Sequence, residues 1–423
     1  MGLNTVKACM KYLMKSKIKI MIAFILTILL LGCQETLTSN ESEYGKNQNN
    51  SSINQAGNLY NFNINSTVQL QNHFLNANNH RVHILQLGDS HTAADVFTGK
   101  VRTILQTKYG DGGIGFIPAA DIKGIRSNLV TIETNNSKWE ILTSRKEQSS
   151  IFPLGGYQVN TQNQSGNIQI KPRKNYVSKI NKYEMSILYH SSTDNTIIVN
   201  RNKLTIDGKS RNWAWSPFVS NLSLPIQLDV NQSKNLSIGG IFLASEKQNG
   251  VVLSTLGING ATAMFWDKWH TSWYNSLKEI SPQMVILAYG TNEAYDATLD
   301  LNQYKIDLNA RIQKLKSLLP NTAFLLIGPP DSMKIKGPMA STQCHSQYAN
   351  HLAAIIEIQK QVAKKNQIMF WDWQAAMGGP CSIQKWVSKQ LAKDDMVHLT
   401  AEGYEMSAKS FSADLIKLLG AGQ

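Results

Sequence analysis

This chain has little from which a metal site or a nucleic-acid site could be built. It contains no basic run with interleaved aromatic residues, which is the pattern that nucleic-acid binding needs, so we predict no nucleic-acid partner. His73, His80 and His83 are clustered, but no carboxylate or cysteine stands at ligand spacing beside them. We interpret these histidines as ordinary strand and loop residues, and we predict no metal and no cofactor.

Long apolar runs are also scarce, and the clearest one lies near the N-terminus. Residues 20–31 are almost wholly apolar and follow several lysines, but the run is short for a membrane span. It ends at Leu-Gly-Cys, which resembles the bacterial lipobox. We therefore predict a lipoprotein signal peptide over residues 1–32 and lipidation of Cys33. The alternative is an uncleaved anchor helix, and either way the body of the protein lies outside the cytoplasm.

Residues 33–57 are rich in Asn, Ser, Gln and Glu and have few apolar groups, so we predict a polar tether. Gln34 stands where an Asp favours retention at the inner membrane, which indicates a periplasmic protein anchored at the outer membrane of a Gram-negative cell. The formal net charge is +13, and a modest basic excess remains once the lysines of the signal are removed. Such an excess suits an acidic polymer such as cell-wall peptide carboxylates.

Cysteine is rare too, with four in the whole chain. Cleavage of the signal removes Cys9 and lipidation uses Cys33, which leaves Cys344 and Cys381. In an oxidising compartment two remaining thiols favour a disulfide, worth on the order of 4 kcal/mol by the chain-entropy estimate. Two separate buried thiols are the alternative.

Apolar runs that are typical of buried strands alternate with helical stretches in two parts of the chain. This alternation predicts an α/β domain with a parallel sheet covered on both faces, formed by residues 58–119 and 246–423. The predicted strands are Val82–Leu87, Val251–Leu256, Met284–Ala288, Ala323–Ile327 and Ile368–Trp373. The predicted helices lie near 93–108, 262–279, 301–319, 346–365 and 400–418.

Residues 120–245 have a different pattern, with short alternating runs between Asn, Ser, Gly and Pro turns and no long helix. This pattern predicts an all-β insertion, a sandwich, placed after the first helix of the α/β domain. The predicted strands are Asn167–Ile170, Glu184–Tyr189, Thr196–Val199, Leu222–Leu228 and Leu236–Ala244.

The stretch Leu87-Gly88-Asp89-Ser90-His91 ends the first predicted strand with a polar turn. Open α/β sheets place their chemistry at this end of a strand, so Ser90 is a candidate nucleophile. A serine hydroxyl is unreactive at neutral pH unless a base removes its proton. His398 is the candidate base, and Asp395 can curl back through one turn to accept a hydrogen bond from the imidazole. Asp394 is the rival for that role.

An acyl-transfer site also needs donors for the oxyanion. Gly260 follows the second predicted strand and offers a backbone N–H, and Asn292 follows the third and offers a side-chain amide. With the N–H of Ser90 these make a hole of three donors, and the loss of one donor typically costs about a hundred- to a thousand-fold in rate.

Ser90, Gly260, Asn292 and His398 stand in the order of the four blocks of the SGNH (GDSL-type) hydrolases, with Asp395 in the expected Asp-x-x-His pair. The chain resembles this family, which implies a three-layer α/β/α, flavodoxin-like domain. The narrower resemblance is to bacterial peptidoglycan O-acetylesterases, which combine Gly-Asp-Ser-His and Gly-x-Asn-Gly-Ala blocks with an inserted β module like a carbohydrate-binding domain. His91 and Glu293 depart from the commonest residues of the wider family.

The resemblance implies a carbohydrate O-acetylesterase that frees the N-acetylmuramic acid of peptidoglycan from its O-acetyl groups. The implied partner is O-acetylated peptidoglycan or a related glycan, and the membrane is met through a lipid anchor alone. Two alternatives stay open: an O-acetyltransferase on the same glycan, and a catalytically inactive lipoprotein that binds the cell wall.

Overall fold

The apolar run around Val82–Leu87 forms a strand that is buried over almost its whole length, Arg81–Gly88.

The computed structural model of the chain describes residues 54–135, 139–147, 151–161, 165–208, 212–231, 233, 235–334, 344 and 349–420. The predicted signal peptide, Cys33 and most of the predicted tether lie outside the described residues. Within the described residues, no helix has the length and apolar character that crossing a membrane requires.

The strands of the described residues belong to one mostly parallel sheet and two antiparallel sheets. They are β1 Asn54–Ala56, β2 Leu59–Asn61, β3 Arg81–Gly88, β4 Gly113–Ile117, β5 Val130–Thr134, β6 Glu140–Thr143, β7 Tyr157–Asn160, β8 Gly166–Pro172, β9 Tyr183–Ser191, β10 Asn195–Val199, β11 Asn202–Ile206, β12 Ala214–Trp215, β13 Val219–Leu222, β14 Ile226–Val230, β15 Leu236–Ser245, β16 Gly250–Gly257, β17 Met284–Ala288, β18 Ala323–Ile327 and β19 Met369–Trp371.

The helices lie outside the part of the chain that forms the two antiparallel sheets. They are α1 Ile64–Leu75, α2 Ser90–Ala93, α3 Phe97–Tyr109, α4 Trp273–Ile280, α5 Thr291–Tyr295, α6 Leu301–Leu318, α7 Leu352–Lys365, α8 Trp373–Ala376, α9 Ser382–Ser388 and α10 Ala401–Leu418, with a 3-10 helix at Ala263–Lys268.

The first sheet has the order β1-β2-β19-β18-β17-β3-β16. From β19 to β16 its neighbours run parallel, and β1 and β2 extend it as an antiparallel edge. All five strands that the sequence predicts for the α/β domain are present, and β17 and β18 have the predicted bounds. Because parallel strands end at the same edge, the residues that follow β3, β16 and β17 come together.

The sheet is covered on both faces, as the continuous apolar runs predict. Ile84 packs in one core with Leu105 of α3 and Phe411 of α10. Its neighbour Leu85 packs in the opposite core, which includes Ile312 of α6 and residues of α7. Successive residues of β3 therefore face different helix layers, and the predicted three-layer α/β/α architecture is confirmed.

The two antiparallel sheets form the predicted all-β part. One has the order β11-β10-β14-β8-β5, and the other has the order β12-β9-β15-β7-β6 with β13 and β4 at its side. The inner faces of these two sheets share one core. Ile168 of β8 and Ile197 of β10 contribute to it from one sheet, and Ile187 of β9 and Ile241 of β15 contribute from the other. This shared core makes the two sheets a sandwich.

Pairing of the strands differs from the predicted boundaries at two places. β4 lies within residues 58–119, which we assigned to the α/β domain, yet it pairs with β15 of the sandwich. β1 lies within the predicted tether, residues 33–57, and pairs with β2. Strand β4 pairs with a strand that is remote in sequence, and β1 pairs across a turn. Neither kind of pairing produces a recognisable pattern of apolar residues in the short segment itself.

Two helical predictions also differ from the structure, and one long helix was not predicted. The stretch near 93–108 is two helices, α2 and α3, and the stretch near 262–279 is a 3-10 helix followed by α4. Helix α1 was not predicted, because polar residues surround its buried positions Thr67, Leu70 and Phe74. His73 therefore lies on a helix rather than on a strand or loop.

Candidate active site

Ser90 is the first residue of the one-turn helix α2, directly after the parallel strand β3. The carboxylate of Asp89 caps this turn by accepting a hydrogen bond of 2.9 Å from His91 N. Gly88 is needed before it, because a Cβ atom there would lie 2.1 Å from Thr92 Oγ1 and 2.8 Å from Ala288 O. The tight turn leaves the Ser90 side chain half-buried at the carboxyl edge of the sheet.

His398 reaches this edge from the loop that precedes α10, although it lies 308 residues away in sequence. Its Nε2 lies 3.1 Å from Ser90 Oγ, and its Nδ1 lies 2.8 Å from Asp395 Oδ2. A carboxylate can only accept, so Nδ1 carries the ring proton and Nε2 is left to accept from the Ser90 hydroxyl. The structure therefore joins the three predicted residues in one line of hydrogen bonds.

The loop between Lys393 and Thr400 holds the imidazole in place. Asp395 Oδ1 accepts from the backbone N–H groups of Val397 and His398, each at 2.9 Å. Partial burial opposes ionisation of Asp395, but these hydrogen bonds and the His398 ring outweigh it and keep the pKa of the carboxyl below its usual value. Asp394, the rival, is exposed, and it is Asp395 that contacts the ring.

Gly260, in the loop after β16, and Asn292, in the first turn of α5, lie at the same edge of the sheet. The loop after β16 starts with Ile258, whose N–H donates to Gly88 O at 3.0 Å. Gly260 in this loop has a φ of +77°, which favours glycine. Asn292 Nδ2 donates to Ala261 O at 2.8 Å, so one amide hydrogen fixes the loop and the second remains to bind an oxyanion.

Glu293 is a residue whose part in this site the sequence did not reveal. It is buried, and its Oε1 accepts from Ala263 N at 2.9 Å, which makes it a second tie between α5 and the Gly260 loop. Burial, opposed in part by hydrogen bonds, raises the pKa of Glu293 to about 7 and that of the nearby Asp89 to about 6. The sequence signal that could have pointed to it is its departure from the Asp that is usual after the family Asn.

His91 packs against the ring of the candidate base, His398. The sequence did not reveal this contact either. The His91 ring is buried between Trp373 and Tyr404, and its Nδ1 lies 2.8 Å from the Tyr404 hydroxyl oxygen. The ring centroids of His91 and His398 are 5.5 Å apart. Burial and the neighbouring His398 lower the pKa of His91 to about 3, so a neutral imidazole supports the base.

Other predicted positions take no part in this line of hydrogen bonds. A disulfide joins Cys344 to Cys381, which precedes α9. His83 is buried in β3 with its Nε2 2.7 Å from Ser254 Oγ. The described part of the chain contains no group of three His, Cys, Asp or Glu side chains that could hold a metal ion.

Comparison with known proteins matches two segments of the chain, one mostly in the sandwich and one mostly in the α/β part. Residues 112–227 match the family model described as peptidoglycan O-acetylesterase, N-terminal, and residues 242–406 match the GDSL-like lipase/acylhydrolase family. The solved structure of a peptidoglycan O-acetylesterase is 31% identical with a TM-score of 0.77, and the alignment covers 86% of this chain and 100% of that one. This chain belongs to the peptidoglycan O-acetylesterases of the GDSL-like hydrolases.

Membership in this family makes the chain an esterase. More distant structures include family two carbohydrate esterases from Cellvibrio japonicus (10% identity, TM-score 0.28, covering 69% of this chain and 99% of that one) and Corynascus thermopiles (11%, 0.30, 67% and 99%). These likenesses are too weak to bear on activity. No curated protein matches the chain in sequence. Ser90 lies outside both matched segments.

Proposed function

We propose that this esterase is a serine hydrolase that removes O-acetyl groups from cell-wall glycan, with the N-acetylmuramic acid of peptidoglycan as its substrate. The observation that carries the proposal is the line of hydrogen bonds from Ser90 Oγ through His398 to Asp395, at 3.1 and 2.8 Å. The likeness to a peptidoglycan O-acetylesterase along 86% of the chain supplies the substrate class.

In the first half of the reaction, Ser90 Oγ attacks the carbonyl carbon of the acetyl group while His398 Nε2 takes the hydroxyl proton. Asp395 accepts from Nδ1–H throughout, which holds the ring tautomer and stabilises the imidazolium that forms. Its low pKa keeps this carboxylate ionised at neutral pH. The tetrahedral intermediate then collapses, and the sugar oxygen leaves with the proton from His398.

The negative charge on the former carbonyl oxygen is stabilised by the free amide hydrogen of Asn292 and the backbone N–H groups of Gly260 and Ser90. These donors are fixed before the substrate arrives, because Asn292 and Glu293 bind the Gly260 loop at Ala261 and Ala263. Donors that need no reorganisation during the reaction contribute most to the stabilisation of such intermediates.

In the second half, water attacks the acetyl-enzyme. His398 Nε2 removes a proton from the water, the same donors bind the new oxyanion, and the proton returns to Ser90 Oγ as acetate leaves. The net reaction converts one acetyl ester and one water into a free sugar hydroxyl and acetic acid.

The proposal includes the compartment where such a substrate is found. A signal peptide over residues 1–32, a lipid on Cys33 and a tether that ends near residue 53 would hold the enzyme in the periplasm beside the wall. The basic excess of the chain supports a partner rich in carboxylates.

The first test is Ser90→Ala in the full chain, assayed by acetate release from O-acetylated peptidoglycan and by hydrolysis of a neutral aryl acetate. We expect both rates to fall by about a thousand-fold or more, because the oxygen that forms the acetyl-enzyme is gone. Ser388→Ala, at an exposed serine of α9, is the matched control and leaves both rates unchanged.

A Ser90→Ala protein as active as the parent would end the proposal. The same assay separates hydrolysis from transfer when a glycan acceptor without acetyl groups is added. An esterase releases the same amount of acetate with the acceptor as without it, whereas a transferase moves the acetyl group onto the acceptor.

A further inference from the structure

An arginine from the sandwich lies over the loop that offers the oxyanion donors. Arg145 follows strand β6, and its Nε lies 3.9 Å from the position that a Cβ atom on Gly260 would occupy. Among the described residues, apart from Gly260 and its two neighbours in sequence, no other heavy atom lies within 4 Å of that position. The sandwich therefore places a guanidinium beside Gly260, in the loop that offers an oxyanion donor.

The turn that carries Arg145 is hydrogen-bonded to the sandwich through Gly156 and to the α/β part of the chain through Lys268. The N–H of Ser144 donates to Gly156 O at 2.8 Å, and Lys268 Nζ donates to Ser144 O at 3.1 Å. Lys268 ends the 3-10 helix that follows the Gly260 loop. Ser144 is fully buried whereas Arg145 is exposed, so a rigid turn presents a solvated side chain.

The charge of Arg145 is available to a ligand. Within the described part of the chain, no carboxylate forms an ion pair with Arg145, not even the exposed Glu147 of the same turn. Lys146 is exposed beside it. On the neighbouring side, Gly124 accepts from Asn259 Nδ2 at 3.2 Å, which brings the exposed Lys123 to the same loop. The sandwich side of this loop thus carries three exposed cations, with Asp121 and Glu147 as the carboxylates that lie close to them in sequence.

A guanidinium is planar and always charged, and it presents paired N–H groups that match the two oxygens of a carboxylate. Peptidoglycan carries carboxylates close to its acetylated sugar, on the peptide stem or on the lactyl group where the stem has been removed. A neutral acetyl ester has no group for Arg145 to bind.

We propose that Arg145 forms a carboxylate-binding subsite that selects muramic-acid substrates by the anionic substituent next to the acetylated sugar. This inference rests on the proposed function for its biological substrate. The subsite is a specificity determinant, because it contacts the substituent and takes no part in the bond that breaks.

The test compares Arg145→Gln and Arg145→Lys with Lys146→Gln, which removes an equal charge from the same turn. Each full-length variant hydrolyses a neutral aryl acetate, and a muropeptide without acetyl groups serves as competitive inhibitor. We expect the inhibition constant to rise about tenfold or more in Arg145→Gln, since a charge-assisted hydrogen bond is lost, while kcat/KM for the aryl acetate stays within about twofold. Arg145→Lys recovers part of the binding, and Lys146→Gln changes it less than about threefold.

Two inhibitors identify the source of the carboxylate, one with its peptide stem and one with the stem removed so that the lactyl carboxylate is free. A tenfold effect with one inhibitor alone assigns the subsite to that carboxylate. Equal changes in Arg145→Gln and Lys146→Gln, or an equal loss on the neutral ester, would overturn the proposal. An enzyme that binds both inhibitors through Arg145 yet releases no acetate from O-acetylated peptidoglycan keeps the subsite and refutes the proposed function.

Discussion

The two parts of this molecule bury their strands in different ways. In the α/β part every residue of β17 and β18 is buried, because helices cover both faces of a parallel sheet. In the five-stranded sheet of the sandwich, buried and less buried residues alternate along β10 and β14, because one face of that sheet is turned to the core and the other to solvent. The difference explains why the chain changes texture in sequence at the places where the fold changes.

The two parts also divide the work that we propose for the enzyme. The groups that would act on the ester follow β3, β16 and β17 or precede α10, all in the α/β part, where parallel strand ends meet. The sandwich contributes Arg145, whose Nε lies 3.9 Å from the position of a Cβ atom on Gly260. Chemistry and recognition should therefore be separable by mutation.

The largest expected effect falls on the chemistry. Asp395→Asn keeps the shape of the side chain but removes the charge that orients and stabilises the His398 ring, so we expect kcat to fall by about a thousand- to ten-thousand-fold. The loss should be equal for the neutral aryl acetate and for O-acetylated peptidoglycan, because both use the same α/β machinery. Steady-state kinetics on the two substrates measure it.

Asp394→Asn is the matched control, since it alters the adjacent exposed carboxylate that does not contact the ring. We expect its kcat to stay within about twofold of the parent. If the two variants lose the same activity, or if Asp394→Asn is the weaker enzyme, the line of hydrogen bonds to Asp395 is not the one that works in catalysis.

Much of this arrangement could be read from the sequence because it depends on local patterns. Apolar runs predicted β17 and β18 to the residue, since a strand buried on both faces needs such a run. The order of Ser90, Gly260, Asn292 and His398 was informative because parallel strands bring their carboxyl ends to one edge.

The rest depends on partners that are distant in sequence. The contact of His91 with Tyr404 spans 313 residues, and the bond from Ala263 N to Glu293 spans 30. Arg145 is an unremarkable turn residue until the fold sets it over Gly260. Helix α1 was not predicted from the sequence because its buried face is narrow and most of its remaining positions are polar.

A second prediction tests how firmly the two parts are joined. The buried carboxylate of Asp95 pairs with Arg102 of α3 at 3.0 Å and also accepts from Thr255 of β16 and from the backbone N–H of Asn128 on the sandwich side. Asp95→Ala leaves the Arg102 charge buried without its partner, so we expect the free energy of unfolding to fall by about 3–5 kcal/mol. Chemical denaturation followed by circular dichroism measures the loss.

The ion pair between Asp267 and Arg311 provides the control, because the Asp267 side chain is 68% exposed. Asp267→Ala should change the free energy of unfolding by less than about 1 kcal/mol. Equal losses in the two variants would mean that the Asp95 network adds nothing beyond a surface contact, and that the two parts of the chain are held together elsewhere.

The smallest expected effect concerns the buried carboxylate behind the oxyanion loop and belongs to the α/β part alone. Burial raises the pKa of Glu293 to about 7, above its unfolded value, so the folded state holds this proton while the unfolded state has already lost it. The stability that this protonated side chain contributes to the folded state is fully present below about pH 4.5. It is lost as the pH rises through about 7, and the free energy of unfolding falls by up to about 3 kcal/mol over that range. Glu293→Gln retains the acceptor for Ala263 N but cannot ionise, so its stability should vary less between pH 4.5 and 8. Denaturation curves for parent and variant at several pH values measure the difference, and parallel pH profiles would show that Glu293 does not titrate in this range.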